Sequence, residues 1–199
     1  LGLGLGLGGR ASGTIRPQTD DPSARPELLL QAQVLSKGMT GSEGVLVQAV
    51  ALPWIEIADA LDRDASFLVQ FAQNPRRFEE FLAACYDRAG FDEVILTPQR
   101  GDRGRDVIAT KHGHGSVRFL DQAKAFSPGH KVTHGDVREM LGALTLDPGA
   151  SKGIITTTST FEPGIFKAEG GFLPLMPHRL ELKDGAATLN WIKELRTGA

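Results

Sequence analysis

Residues 101–124 contain a carboxylate, an amide oxygen and a lysine. These groups lie on two segments that are predicted to be adjacent strands. Asp106 lies in RDVIATK, and Gln122 and Lys124 lie two residues apart in SVRFLDQAK. Mg²⁺ prefers oxygen ligands and retains waters, and a bound metal polarises a phosphate and acidifies water. A lysine offsets the negative charge that develops on that phosphate. The trio predicts metal-dependent cleavage of nucleic acid.

The alternation of side chains along a strand decides which residue accompanies Lys124. Gln122 and Lys124 project from one face of the strand, whereas Asp121 projects from the other. The turn around Gly113 and Gly115 makes the two strands a hairpin, which brings Asp106 beside the second strand. We therefore predict that Gln122, and not the acidic Asp121, completes the site.

The helix in RRFEEFLAACYDRAG supplies a fourth candidate. With Phe78 at zero and about 100° per residue, Glu79 lies at about 100°, at the edge of the apolar face beside Tyr86. Glu80 lies at about 200° and is predicted to face solvent. Glu79 is thus the better placed to look into a site between helix and sheet, where its charge would support metal binding by a neutral Gln122.

Positive charge concentrates around this hairpin. Residues 99–138 contain eight Lys or Arg and four Asp, a net charge of +4, although the chain carries −2 overall. Four of the five histidines lie in the same window. A phosphate backbone would be attracted to this region. The competing interpretation is a solvated surface hairpin with no partner.

Composition excludes several other classes of protein. The 199 residues are 41% hydrophobic, which is ordinary for a soluble domain, and no apolar run approaches the roughly 18 residues of a membrane span. A single cysteine, Cys85, cannot form an internal disulfide and is typical of a reducing compartment, so we expect a cytoplasmic protein. Cys85 lies on the apolar helix face and is expected to be inert.

Three segments are predicted along the chain. Residues 1–43 are low-complexity and expected to be disordered, apart from a short helix that PELLLQAQVL could form. The first residue is leucine, and Met39 is a candidate start. Residues 44–74 are expected to form a strand and helix extension, and residues 75–199 the main domain.

Within the main domain the elements follow the order helix, three strands, helix, strand, then strand and helix. Asn74-Pro75 is a typical start for the first helix, and Thr133 with Asp136 is a capping box for the second. Ser159 and Glu162 repeat the capping-box pattern further on. The order predicts an α/β fold with a mixed central sheet flanked by helices.

The ordered set of motifs resembles the catalytic domain of Mrr-type restriction endonucleases, in the PD-(D/E)xK nuclease superfamily. FEEF is similar to the opening of the family's first helix, GDRGRD to its D-x-G-x-D turn, DQAK to its Q-x-K variant, and GIITTTSTF to a later strand and Ser/Thr turn. The resemblance covers about residues 75–196 and implies a restriction-endonuclease-like α-β-β-β-α-β core.

The resemblance implies Glu79, Asp106, Gln122 and Lys124 as catalytic positions, with Mg²⁺, or Mn²⁺ as a substitute, on Asp106, Gln122 and Glu79. It implies a DNA endonuclease of restriction and defence type that acts as a homodimer or in a larger defence complex, because one site cuts one strand. DNA contacts are expected from polar and basic residues near the hairpin: Arg103, Arg105, Lys131, His134 and Ser159.

Two alternatives stay open. One is a repair or junction-processing nuclease of the same fold, and the other is a non-catalytic nucleic-acid-binding module. Mrr-type proteins usually carry a separate target-reading domain, and residues 1–74 do not resemble one. Asp102 is expected to shape its turn, and His112 and His114 are either solvated or a metal pair.

Overall fold

The computed structural model describes residues 26–99 and 104–198. The helices are α1 Pro26–Gln31, α2 Ala51–Arg63, α3 Pro75–Arg88, α4 His134–Leu146 and α5 Gly185–Thr197, with short 3-10 helices at Ala65–Gln73, Pro163–Phe166, Ala168–Gly170 and Leu173–Leu175. The strands are β1 Leu35–Thr40, β2 Val45–Ala49, β3 Glu93–Leu96, β4 Val107–Lys111, β5 Val117–Lys124, β6 Lys131–Val132, β7 Lys152–Thr157, β8 Thr160–Phe161 and β9 Leu180–Lys183.

Seven strands form one mixed sheet in the order β1-β2-β3-β4-β5-β7-β9. Neighbours from β1 to β5 are antiparallel, whereas β5, β7 and β9 run parallel. The change from antiparallel to parallel pairing follows from how the strands are connected. A tight turn can join antiparallel strands, whereas a parallel pair needs a crossover such as α4. The predicted mixed sheet and the α-β-β-β-α-β core are confirmed.

Helix α3 covers one face of the sheet. Its apolar side chains recur at helical spacing, and Phe78, Phe81 and Leu82 are fully buried there. Pro75 opens the helix at a position where a missing amide hydrogen costs nothing. The helix ends before Gly90, whose φ of +79° is a left-handed conformation that glycine adopts without strain.

Helix α4 covers the opposite face. The predicted capping box is present: the Thr133 side chain accepts from the Asp136 amide, and the Asp136 carboxylate accepts from the Thr133 amide. Met140 packs so closely on β7 that a Cβ added at Gly153 would lie 2.6 Å from the Met140 sulfur. Glycine at 153 therefore lets α4 approach the sheet.

The sheet begins earlier in the chain than expected. Residues 35–40, assigned to the disordered segment, form edge strand β1, and β2 pairs with β3 of the main domain. Trp54 of α2 is fully buried in the same core as α3. Residues 44–74 therefore share the sheet and the core of the main domain. The expectation for residues 1–25 lies outside the described residues.

The second predicted capping box was wrong. Ser159 donates its hydroxyl to the carbonyl of His130, and Glu162 precedes a 3-10 helix without capping it through its side chain. The intervening Thr160–Phe161 pairs instead with β6 in a small parallel sheet, which fixes this segment beside α4. In the ranges described, no helix combines the length and hydrophobicity that crossing a membrane requires.

Candidate active site at one end of the sheet

Asp106 lies directly before β4 and is tied to β5 through both its backbone and its side chain. Its amide donates to the carbonyl of Asp121 (2.8 Å), and its Oδ2 accepts from the amide of Ala123 (2.8 Å). Val107 pairs with Asp121 in the antiparallel register, so Asp106 comes opposite Gln122. The hairpin therefore brings Asp106 and Gln122 together, as the sequence predicted.

Gln122 is a buried polar side chain with an unused acceptor. Its residue is only 6% exposed, and its Oε1 has no hydrogen-bond partner within residues 26–99 and 104–198. An unsatisfied buried acceptor costs about 1–3 kcal/mol. Such an atom is expected where a ligand completes its coordination.

Lys124 projects from the same face of β5 and is held by helix α4. Its Nζ lies 2.9 Å from Oδ1 of Asp136 and 3.9 Å from Oε2 of Glu139. The side chains of Lys124 and Asp136 are 17% and 18% exposed. The sequence did not predict this ion pair. The capping-box pattern accounts for one carboxylate oxygen of Asp136, and the ion pair with Lys124 uses the other.

The second oxygen of Asp136 makes this support rigid. Oδ2 accepts hydrogen bonds from the amide and the hydroxyl of Thr133, both at 2.8 Å. Partial burial works against ionisation, but the hydrogen bonds from Thr133 and Lys124 outweigh it and lower the pKa of Asp136. Lys124 is thus anchored to an ionised carboxylate that is fixed at the start of α4.

Glu79 lies at the same end of the sheet, on α3. Its Oε2 accepts from Arg76 (2.5 Å), and Arg76 also donates to the carbonyl of Thr97 (2.9 Å), just beyond β3. The Thr97 amide in turn donates to the carbonyl of Asp106 (3.0 Å). These contacts join Glu79 to Asp106 through two intervening residues.

The prediction that Glu80 faces solvent was wrong. Its side chain is 14% exposed, the same as that of Glu79, and it forms an ion pair with Arg77 at 2.6 Å. Arg77 also reaches the carbonyl of Gln31 at the end of α1. The helical wheel could not anticipate this burial, because α1 and β1 were not expected to pack beside α3.

Arg105 does not have the exposure of a DNA ligand. Its side chain is 11% exposed and pairs with Asp147 (2.6 Å) and Glu43 (3.1 Å). Arg118 pairs with the same two carboxylates. The network fastens the β1–β2 turn and the end of α4 to the hairpin, so Arg105 is a structural residue next to Asp106. Its four members are far apart in sequence, which hides the network from sequence analysis.

The other predicted DNA contacts surround the end of β5. Lys131 is exposed on β6, and Ser159 is half-buried just beyond β7, where its hydroxyl donates to the carbonyl of His130. His134 opens α4, and its Nδ1 lies 2.7 Å from a Glu162 carboxylate oxygen. This contact lowers the pKa of Glu162. Arg103 and Asp102 lie outside the described residues.

Asp121 occupies the opposite face of β5 and is fully enclosed. Its Oδ2 accepts from the hydroxyls of Tyr86 and Thr156, both at 2.8 Å. Burial raises the pKa of Asp121 to about 6, although Lys183 and the two hydroxyls oppose the shift. The pleat argument that separated Asp121 from Lys124 is confirmed by these contacts.

The donor set suits a hard divalent cation, although it is not an all-acid cluster. In the described part of the chain, no three His, Cys, Asp or Glu side chains form a group arranged to hold a metal. Two carboxylates and an amide oxygen are nevertheless ligands that Mg²⁺ accepts, and it takes its remaining ligands from water and substrate. The unpartnered Oε1 of Gln122 fits such a role.

Two alternative chemistries have little structural support. His112 contacts Ser116 (3.1 Å) and Glu93 (3.5 Å) in the exposed turn, at the far end of β4 from Asp106. Cys85 is fully buried, and desolvation raises its pKa to about 12. A thiol with that pKa is not a nucleophile at neutral pH.

Comparison with known proteins identifies a family. The family model described as restriction endonuclease, of the Mrr catalytic type, matches residues 72–172. A search of curated proteins gives no significant match. Among solved structures, the DNA modification-dependent restriction endonuclease AspBHI is similar, with 17% sequence identity and a TM-score of 0.49. The similarity covers 75% of this chain and 37% of AspBHI, so the chain spans just over a third of that protein's length.

Proposed function

The chain belongs to the restriction endonuclease family, and we propose that it is a DNA endonuclease that hydrolyses phosphodiester bonds with a divalent metal ion. The observation that carries the proposal is the buried Oε1 of Gln122, which has no partner among the described residues and lies across from Asp106 on the same face as Lys124. An acid, an open acceptor and a cation at one end of the sheet fit the binding of a metal and a phosphate.

Asp106 and Gln122 would hold the metal, with Glu79 as a third ligand. Mg²⁺ is the expected ion, and Mn²⁺ is a substitute with similar ligand preferences. When bound there, such an ion would supply polarisation of the scissile phosphate and acidification of an attacking water. Asp106 is already oriented for this role, because its Oδ2 is fixed on the Ala123 amide.

Lys124 would stabilise negative charge on the phosphate during cleavage. Asp136 holds its ammonium group at 2.9 Å, in a partly buried position where charge is screened less than in water. A preorganised cation of this kind contributes most when it is fixed before the reaction begins. Asp136 is therefore a positioning residue for Lys124.

DNA is the substrate that family membership favours. Lys131, His134 and Ser159 surround the end of β5 and would contact the phosphate backbone. One site cuts one strand, so double-strand cleavage requires a homodimer or a larger defence complex. A role in restriction and defence, and a cytoplasmic location, belong to the same proposal.

A cleavage panel tests the proposed function. Purified protein is incubated with plasmid, methylated plasmid, single-stranded DNA and RNA, with Mg²⁺, with Mn²⁺ and with EDTA. We expect metal-dependent nicking or linearisation of at least one DNA, and no product with EDTA. Metal-dependent cleavage of RNA alone would contradict the proposed substrate, and binding of every substrate without cleavage would indicate a non-catalytic module.

A further inference from the structure

A cavity lies where the segment before the family domain meets the start of α3. It has a volume of about 520 Å³, within the roughly 300–1,000 Å³ typical of small-molecule sites. One wall comes from residues 31–37 and the other from residues 74–80. The family match begins at residue 72, so one wall of the cavity lies upstream of it.

The charged groups in this cavity favour an anion. Lys37, Arg76 and Arg77 line it, and Glu80 is the acid among the lining residues. Glu80 is already engaged by one nitrogen of Arg77. Lys37 is exposed and has no ion-pair partner in the part of the chain that the structure describes. A guanidinium group has five N–H donors, so both arginines keep donors for a phosphate.

The remaining lining suits a nucleobase. Val34 and Leu35 line the cavity but are only 3% exposed and pack in the core, so its accessible lining includes the exposed amides of Gln31, Gln33 and Asn74. Asn74 precedes α3 without making a side-chain cap hydrogen bond, so its amide has both donor and acceptor capacity for a base edge. Phosphate-binding cations beside amides that can bond a base edge match the chemistry of a nucleotide.

Arg76 connects this cavity to the candidate active site. The same guanidinium that lines the cavity contacts the Glu79 carboxylate and the Thr97 carbonyl. The Thr97 amide is bonded to Asp106. Arg76 is therefore shared by the cavity and by the series of contacts that reaches Asp106.

We propose that this cavity binds a nucleotide of the DNA strand being cut, close to the scissile phosphate. The inference rests on the proposed function and adds a substrate contact to it. The segment formed by α1 and β1 then takes part in substrate binding, although it contains no separate target-reading domain. Lys37 lies outside residues 72–172, so a DNA contact from Lys37 is additional to the segment that matches the family.

The test compares Lys37→Ala with Lys193→Ala. Lys193 lies on α5 and makes only a long ion pair to Asp62 (3.7 Å), so it is a control for the loss of one surface charge. Fluorescence anisotropy measures the Kd of each variant for a labelled duplex over a range of salt concentrations, with Ca²⁺ replacing Mg²⁺. For Lys37→Ala we expect a severalfold higher Kd and a slope of log K against log salt that is smaller by ~1.

A neutral linkage locates the contact on the strand. Duplexes with a single methylphosphonate near a mapped cut site should bind wild type more weakly at one position, and Lys37→Ala should not distinguish that duplex from the parent. Equal salt slopes for both variants, or equal sensitivity to every methylphosphonate, would overturn the inference. Wild-type protein that binds DNA but never cleaves it would instead contradict the proposed function, whatever the behaviour of Lys37→Ala.

Discussion

The two faces of β5 have opposite characters although their residues alternate in sequence. On the α3 face, Asp121 is 1% exposed, and one of its oxygens accepts hydrogen bonds from the hydroxyls of Tyr86 and Thr156. On the α4 face, Gln122 is 6% exposed and its carbonyl oxygen has no partner in the described residues. The carboxylate is thus tied to α3 and β7 through Oδ2, whereas the amide oxygen has no such contact within the described residues.

Residue type alone therefore does not mark the functional face of β5. An acid next to a catalytic lysine is the obvious metal ligand, yet Asp121 connects β5 to α3 and β7. Its second oxygen is also buried and unpartnered, but it lies on the enclosed side of the sheet. The open side is the one where Asp106 and Lys124 converge.

After the loss of Asp106, removal of Lys124 should give the largest effect. Lys124→Ala removes the preorganised cation, and loss of one such group typically lowers the rate by roughly 10²–10³-fold. Plasmid cleavage in Mg²⁺ measures the rate, and thermal unfolding confirms that the variant is folded. Cleavage by Lys124→Ala at the wild-type rate would show that Lys124 has no catalytic role.

The enclosed face should respond in stability and not in cleavage. The pKa of Asp121 is about 6 in the fold against 3.8 in the unfolded chain, so the native state binds more protons between these values. Wild type should therefore lose stability relative to Asp121→Asn as pH rises from about 4 to 6, by about 3 kcal/mol. Urea unfolding of both proteins at pH 4, 5, 6 and 7 measures the difference, and parallel curves would contradict the assignment.

Asp136 links the open face to α4, and its two roles are separable. Asp136→Asn weakens both the Lys124 ion pair and the cap, whereas Thr133→Val weakens only the cap. Both should lose roughly 1 kcal/mol of stability. Only Asp136→Asn should lower kcat, by about tenfold, which corresponds to ~1.4 kcal/mol, with KM little changed. Equal kcat values in the two variants would show that Asp136 caps the helix but does not position Lys124 for catalysis.

Glu80 should show the smallest effect. Glu80→Ala breaks an i,i+3 ion pair that contributes less than ~1 kcal/mol, and leaves the contacts of Glu79 with Arg76 in place. We expect a slightly lower melting temperature and unchanged cleavage by Glu80→Ala, and impaired cleavage by Glu79→Ala. Equal losses of cleavage in both variants would contradict the assignment of Glu79.

Local patterns in the sequence were sufficient to predict the main helices and strands after residue 44 and to assign residues to the two faces of β5. Alternation separated Gln122 from Asp121, and the capping box at Thr133 located the start of α4 correctly. These signals involve residues within a few positions of one another, where backbone geometry alone decides the outcome.

Contacts between distant segments could not be predicted in the same way. The pairing of Lys124 with Asp136, the burial of Glu80 and the Glu43–Arg105–Asp147 network depend on how helices and turns pack on the sheet. Strand β1 is polar and mostly exposed, so no hydrophobic pattern marked it. Its presence created the cavity near Lys37.

A matched pair of substitutions decides which face is catalytic: plasmid cleavage in Mg²⁺ by Asp106→Asn and Asp121→Asn, measured beside wild type at pH 7.5. The chemical change is the same, and the two positions lie on opposite faces of the hairpin. We predict that Asp106→Asn yields no product, whereas Asp121→Asn cleaves at close to the wild-type rate. Cleavage by Asp106→Asn together with loss of activity in a folded Asp121→Asn would place the active site on the other face and contradict the account.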